Sequence, residues 1–251
     1  MIKLYVLYAG DIICKDVSQL NEGSLQSGEM ALANPIFLIQ HPKGSVMWDA
    51  GLSDNLINQK EGMDAWIFHL TMSKTVISQL ESIGVHPSDV DYFAFSHIHN
   101  DHTGNANYFK SAKLIMQEKE YDIAFSPNKR PFNYDDYKEL ENSEVIKLNG
   151  DYDLFGDGTV QFIATPGHTE GHQSLLLKLE NTGALLISGD IAYYKENYQN
   201  KGIPTFNASK KDSLASIEKI KKMVANNNAQ LWIQHDKENF ETLKICPNYY
   251  D

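Results

Sequence analysis

Between residues 97 and 102 the chain sets four metal-binding side chains in one short run, His97-Ile-His99-Asn-Asp101-His102. The run follows an apolar stretch at 92–95 that has the length and flanks of a buried strand. A helix could not present all four groups to one point, because positions i and i+2 diverge around its axis. A loop leaving a strand end can, with the first pair serving one cation and the second pair another. Imidazole and carboxylate are donors that a borderline cation such as zinc accepts. A single isolated histidine reads most simply as a surface or packed residue. Four such side chains at this density, just after a strand, point instead to metal chemistry, and any fold must deliver that strand end to the site.

Three more strand ends supply what a two-metal site still lacks. Thr165-Pro-Gly-His168 follows an apolar run at 160–164, Ile187-Ser-Gly-Asp190 ends another, and Ile233-Gln-His235 ends a fourth. Each of these three residues is unremarkable taken singly; converging strand tips carrying His or Asp describe one centre. The expected ligand set is therefore His97, His99, Asp101, His102, His168, Asp190 and His235. His172 is read as either an outer partner that fixes a ligand's tautomer or a packing residue of its glycine turn. His41, His69 and His86 have no such context.

Further apolar runs at 3–8, 35–40, 46–49, 114–117, 174–179 and 184–188 also read as strands. Glu180-Asn-Thr-Gly183 reads as a hairpin turn between two of them. Segments 65–83 and 213–224 carry helical apolar spacing, with Ser209 or Asp212 capping the second. No Pro/Gly/Ser-rich linker divides the 251 residues, so a single domain over 1–251 is expected. A net charge of −11 argues against nucleic acid or an anionic membrane surface as partner. The two cysteines, Cys14 and Cys246, are too few for a disulfide framework. The start, Met1-Ile-Lys-Leu-Tyr-Val, reads as a first strand rather than a signal peptide, and no apolar run is long enough to span a bilayer. A cytoplasmic protein, monomeric or homodimeric, is expected.

The ordered series His97-x-His99-x-Asp101-His102, His168, Asp190 and His235 resembles the ligand set of the metallo-β-lactamase superfamily. That resemblance implies an α/β (α+β) fold, a four-layer αββα sandwich with a dinuclear site at one edge of its sheets. His97, His99 and His168 would then hold one ion, Asp101, His102 and His235 the other, with Asp190 bridging. Asp49, in Trp48-Asp-Ala-Gly51, matches an element placed behind the ligands.

Within the superfamily the chain is most similar to the N-acyl-homoserine lactonases, through 96–102, 165–174 and Gly189-Asp-Ile-Ala-Tyr193-Tyr-Lys-Glu-Asn197. This similarity implies a dinuclear zinc hydrolase acting in quorum quenching, in which a hydroxide held between two divalent ions opens a lactone ring. It also implies catalytic roles for two residues: Tyr193 reaches the substrate carbonyl, with Tyr194 as the adjacent alternative, and Asp101 passes a proton to the leaving alkoxide. Segment 65–68 and loop 12–25 are candidates for an acyl-tail groove, against a plain core reading for Trp66 and Phe68. The rival readings are a glyoxalase-II-like thioesterase, another esterase or phosphotriesterase of this fold, a diiron redox protein and a metal-loaded binding module.

Overall fold

A computed structural model describes residues 1–131 and 133–251. Its strands are β1 (Lys3–Cys14), β2 (Met30–His41), β3 (Gly44–Trp48), β4 (Met63–Ala65), β5 (Phe68–Thr71), β6 (Tyr92–Ala94), β7 (Lys113–Gln117), β8 (Val145–Leu148), β9 (Tyr152–Asp153), β10 (Val160–Ala164), β11 (Gln173–Leu179), β12 (Gly183–Ile187) and β13 (Gln230–Trp232). The α-helices are α1 (Val76–Ser82), α2 (Asn100–Thr103), α3 (Glu118–Ala124), α4 (Lys195–Gln199), α5 (Lys210–Asn227) and α6 (Lys237–Glu241). One sheet runs β4-β5-β1-β2-β3-β6-β7-β8, the other β13-β12-β11-β10-β9.

Side chains alternate across each strand, and the two faces of both sheets are apolar. In β11, Leu175, Leu177 and Leu179 point between the sheets, where they meet Val6, Phe37, Trp48 and Ile187. Leu176, on the opposite face, joins Ile163 and Leu186 beneath Ile220 of α5. In β2, Phe37 and Ile39 face the second sheet, while Ile36 and Leu38 pack outward with Val76 and Leu80 of α1 and Ala124 of α3. Burial on both faces explains why these strands read as continuous apolar runs rather than clean alternations. The layering is helix, sheet, sheet, helix, as in the metallo-β-lactamase fold.

Segment 65–83 is not one helix. Trp66 takes a left-handed φ of 53° and closes a tight turn between β4 and β5. β5 then pairs with the far half of β1, Asp11–Cys14, and the helix starts only at Val76, capped by Thr75. Phe68 and Leu70 stand at the i, i+2 spacing of a strand, and pairing with β1 decides it. The second helix was read correctly in place, with Ser209 as its cap, though it extends over Lys210–Asn227. The turn at 180–183 joins β11 to β12 as expected, with Gly183 at a φ of 86°.

β3 and β6 run parallel, as do β12 and β13, so Trp48, Ala94, Ile187 and Trp232 finish at the same edge of the sandwich. Open α/β sheets bind their ligands outside such carboxyl ends. Ile220→Ala, which empties the contact between α5 and its sheet, is expected to cost about 2–5 kcal/mol of stability in urea unfolding while leaving divalent-ion binding unchanged.

Candidate metal centre

The loop after β6 carries His97 and His99, and its first helical turn, α2, carries Asp101 and His102. His168 follows β10, Asp190 follows β12 and His235 follows β13. The structure brings all seven together. Nε2 of His97, Nδ1 of His99 and Nε2 of His168 form a triangle with edges of 2.9, 2.9 and 3.1 Å. Asp101, His102 and His235 form a second group able to hold a cation. Asp190 lies between them: its Oδ1 is 3.2 Å from His102 Nε2 and 3.1 Å from His235 Nε2. Its Oδ2 is 3.5 Å from His168 Nε2 and 4.0 Å from His97 Nε2. One carboxylate thus offers an oxygen to each group.

The outer hydrogen bonds determine which ring nitrogens face inward. His168 Nδ1 meets the side-chain Oδ1 of Asn207 at 2.9 Å, His235 Nδ1 meets the backbone carbonyl of Ala33 at 2.8 Å, and His102 Nδ1 meets Asp49 Oδ2 at 2.9 Å. Each partner only accepts, so each Nδ1 carries a proton, and in the neutral ring each Nε2 presents a lone pair. Those lone pairs converge on the Asp190 carboxylate, itself an acceptor. His102 Nε2 is fully buried with no hydrogen-bond partner among the described residues. Lone pairs and carboxylates packed face to face repel one another unless a proton or a cation stands between them, and this donor set of imidazoles and carboxylates fits two divalent ions.

Burial and the neighbouring charges divide the histidines into two kinds. Burial pushes His97 and His168 well below the ordinary imidazole value, and His99 below it. Burial also opposes charge on His102, but Asp190, Asp101 and Asp49 outweigh it and hold that ring well above the ordinary value. His235 is raised for the same reason, chiefly by Asp190. Asp190, although burial alone would raise it, is held well below the usual carboxylate range by His235, His102 and His97. The second group therefore attracts positive charge, as protons or as a cation.

His172 is not a ligand in this arrangement. Its Nε2 accepts the Asp190 amide at 2.8 Å and its Nδ1 meets the Thr165 carbonyl at 3.0 Å, so both nitrogens are committed. It holds the backbone of the bridging aspartate, and Gly189 is needed beside it: a Cβ there would lie 2.5 Å from His172 Nε2, at a φ of 57°. His41, His69 and His86 lie away from the cluster, each near a surface Asp or Ser.

The profile of the metallo-beta-lactamase superfamily matches residues 31–226. The chain belongs to the metallo-β-lactamase superfamily. The N-acyl homoserine lactonase AttM of Azorhizobium caulinodans is 32% identical over 100% of this chain and 99% of its own. AttM of Agrobacterium fabrum is 33% identical over 99% of this chain and 98% of its own. A solved N-acyl homoserine lactone hydrolase, with the product N-hexanoyl-L-homoserine bound at its catalytic metal centre, superposes with a TM-score of 0.83 at 27% identity over 98% of each chain. Membership of the superfamily implies divalent metal ions, which this donor set fits. No helix among the described residues is long and apolar enough to cross a membrane.

Beside this superfamily centre, an apolar cavity of 410 Å³ opens against His99, Asn100, Asp101 and Tyr193. Its other walls are Ile12, Ala65, Trp66, Phe68, Leu70 and Phe206. Trp66 and Phe68 thus line a cavity instead of a helix core, and of loop 12–25 only Ile12 reaches it. Tyr193, not Tyr194, faces the cavity, with its ring stacked on His235 at 5.2 Å.

Several supporting residues carried no signal in the sequence. Asn207 and Phe206 approach His168 from the segment before α5, and Gln234 donates to Asp49 Oδ2 at 2.9 Å. Asp49 was legible from its motif, and its surroundings explain it. At a φ of 61° it accepts from Ser96 N at 2.6 Å, from His102 and from Gln234. Asp49→Asn replaces an acceptor with a donor behind His102. It should weaken one divalent ion by roughly 10- to 100-fold in a chelator competition, with circular dichroism unchanged.

Proposed function

We propose that this superfamily member opens the ring of N-acyl-homoserine lactones, and that residues 1–251 act as one catalytic domain. The observation that carries the reading is the apolar cavity ending at Asp101 and Tyr193, beside the two converging donor groups. An acyl lactone has the matching shape: an apolar tail, and an ester carbonyl that must reach the ions. Relatives at about a third identity over their whole length are N-acyl homoserine lactonases, which supports the same substrate class.

His97, His99 and His168 would hold one ion, Asp101, His102 and His235 the other, with Asp190 shared. Two divalent ions, zinc in this reading because the donors are imidazole nitrogen and carboxylate oxygen, lower the pKa of water and polarise a carbonyl when bound. The chain does the rest. Burial first, then the carboxylates of Asp190 and Asp101, holds the Tyr193 phenol well above its ordinary value, so it stays a hydrogen-bond donor. It would donate to the lactone carbonyl oxygen as negative charge develops there. Addition of water breaks the ring C–O bond, yielding a carboxylate and a hydroxyl. Asp101, partly exposed where the cavity meets the donor groups, would deliver the proton to that leaving oxygen. Trp66, Phe68 and Phe206 meet edge to face around the tail.

Proton release from butanoyl-, hexanoyl- and decanoyl-homoserine lactone, beside S-lactoylglutathione and a phosphotriester, tests the reading. Lactone opening that is abolished by chelator is expected. A metal-loaded protein that cleaves only the thioester would overturn it. Tyr193→Phe should lose roughly 10²–10³ in kcat with both ions retained. Phe206→Ala should raise KM for the decanoyl substrate by about tenfold, from roughly 1.5 kcal/mol of lost apolar contact, and barely change it for the butanoyl one.

A further inference from the structure

One fully buried carboxylate takes no part in the cluster. Glu120 sits in the first turn of α3, 1% exposed. Its Oε1 accepts the amide of Ile98 at 3.0 Å. Its Oε2 accepts the amide of Gly171 at 3.0 Å and the hydroxyl of Thr169 at 2.8 Å. Ile98 lies between His97 and His99, and Thr169 and Gly171 follow His168. The two segments joined by this carboxylate are therefore the two that supply the trihistidine triangle.

The fit is close. A Cβ on Gly171 would lie 2.4 Å from the Glu120 amide nitrogen and 2.6 Å from its Cβ, so the turn is seated directly on α3. Gln173 ties the same two segments further back, its amide to the Ser96 carbonyl at 2.9 Å and its side chain to the Phe95 carbonyl at 2.7 Å. Neither of those bonds reaches the residues between and beyond the histidines. Burying a carboxylate is costly, and here burial lifts Glu120 to about 6. Three donors aimed at it offset that cost, and the helix N-terminus favours negative charge. A neutral amide of the same shape could not accept all three, since its NH2 would meet an N–H or O–H donor.

We propose that Glu120 is a positioning residue for the trihistidine group: it sets the spacing between His97 and His99 on one side and His168 on the other. It thereby sets the affinity for one of the two divalent ions. The Asp101, His102 and His235 group, built on α2 and β13, is independent of it. The inference rests on the ligand assignment under the proposed function.

The test is stepwise titration of metal-stripped full-length protein with cobalt(II), followed by visible absorption and by metal content after dialysis. Wild type, Glu120→Gln, Glu120→Asp and Thr169→Val are compared, with thermal unfolding recorded for each. Glu120→Gln is expected to bind one ion as wild type does and the other some 10- to 100-fold more weakly, with altered absorption of that step alone. Thr169→Val, which removes one donor and leaves the carboxylate, should weaken the same ion by a smaller factor. If Glu120→Gln does not fold, Glu120→Asp and Thr169→Val decide by the same criterion. Two wild-type-like steps in the variants would overturn the proposal, as would equal weakening of both ions alongside a lowered unfolding temperature. Failure of the wild-type protein itself to take up two ions would overturn the ligand assignment instead.

Discussion

The Asp190 carboxylate is surrounded by imidazole nitrogens whose lone pairs are turned toward it, with Oδ1 3.1 and 3.2 Å from His235 and His102. Such an arrangement is unfavourable without a proton or a cation between the groups, and much of the surrounding structure serves to hold it. Ala33, Asn207 and Asp49 each commit one Nδ1 proton, so no ring can rotate its lone pair away without breaking a buried bond. His172 pins the Asp190 amide, and Gly189 exists to let it approach. The outer partners thus hold a donor set that a pair of cations would join, and they matter as much as the candidate ligands.

The two sheets supply the rigidity for this. Every candidate ligand follows a strand whose inward side chains belong to the common core, so the candidate positions inherit the order of that packing. The substrate wall is built differently. The far half of β1, past a register shift between Tyr8 and Asp11, keeps its pairing with β2 and takes β5 on its other edge, carrying Ile12 and the β4–β5 hairpin to the cavity. The candidate ligands therefore rest on the core of the fold, and the cavity wall on the edge of the first sheet.

What could be read in the sequence follows the same division. Strands buried on both faces announce themselves as apolar runs, and ligands after them as clusters of His and Asp, so β6, β10, β12 and β13 and their seven candidate residues were legible. The hairpin at Met63–Thr71 was not, because its short strands are held by pairing with β1 and its turn depends on a left-handed Trp66 that no composition signals. Phe206, Asn207 and Glu120 were equally silent. Each is an ordinary residue whose importance comes from a neighbour distant in the chain, as with Glu120 and Gly171 or Asn207 and His168.

Of the seven clustered residues, His99 and Asp101 alone are partly exposed, one from each donor group, and both line the apolar cavity. The remaining five are closed off behind them. In the proposed reading, the cavity that takes the acyl lactone thus also meets the exposed member of each donor group. A bound substrate would cover both of them on that side, so occupancy of the cavity would slow the loss of either ion. An enzyme of this construction would keep its ions best while it is working, and would be most vulnerable to a metal-scavenging environment when substrate runs out.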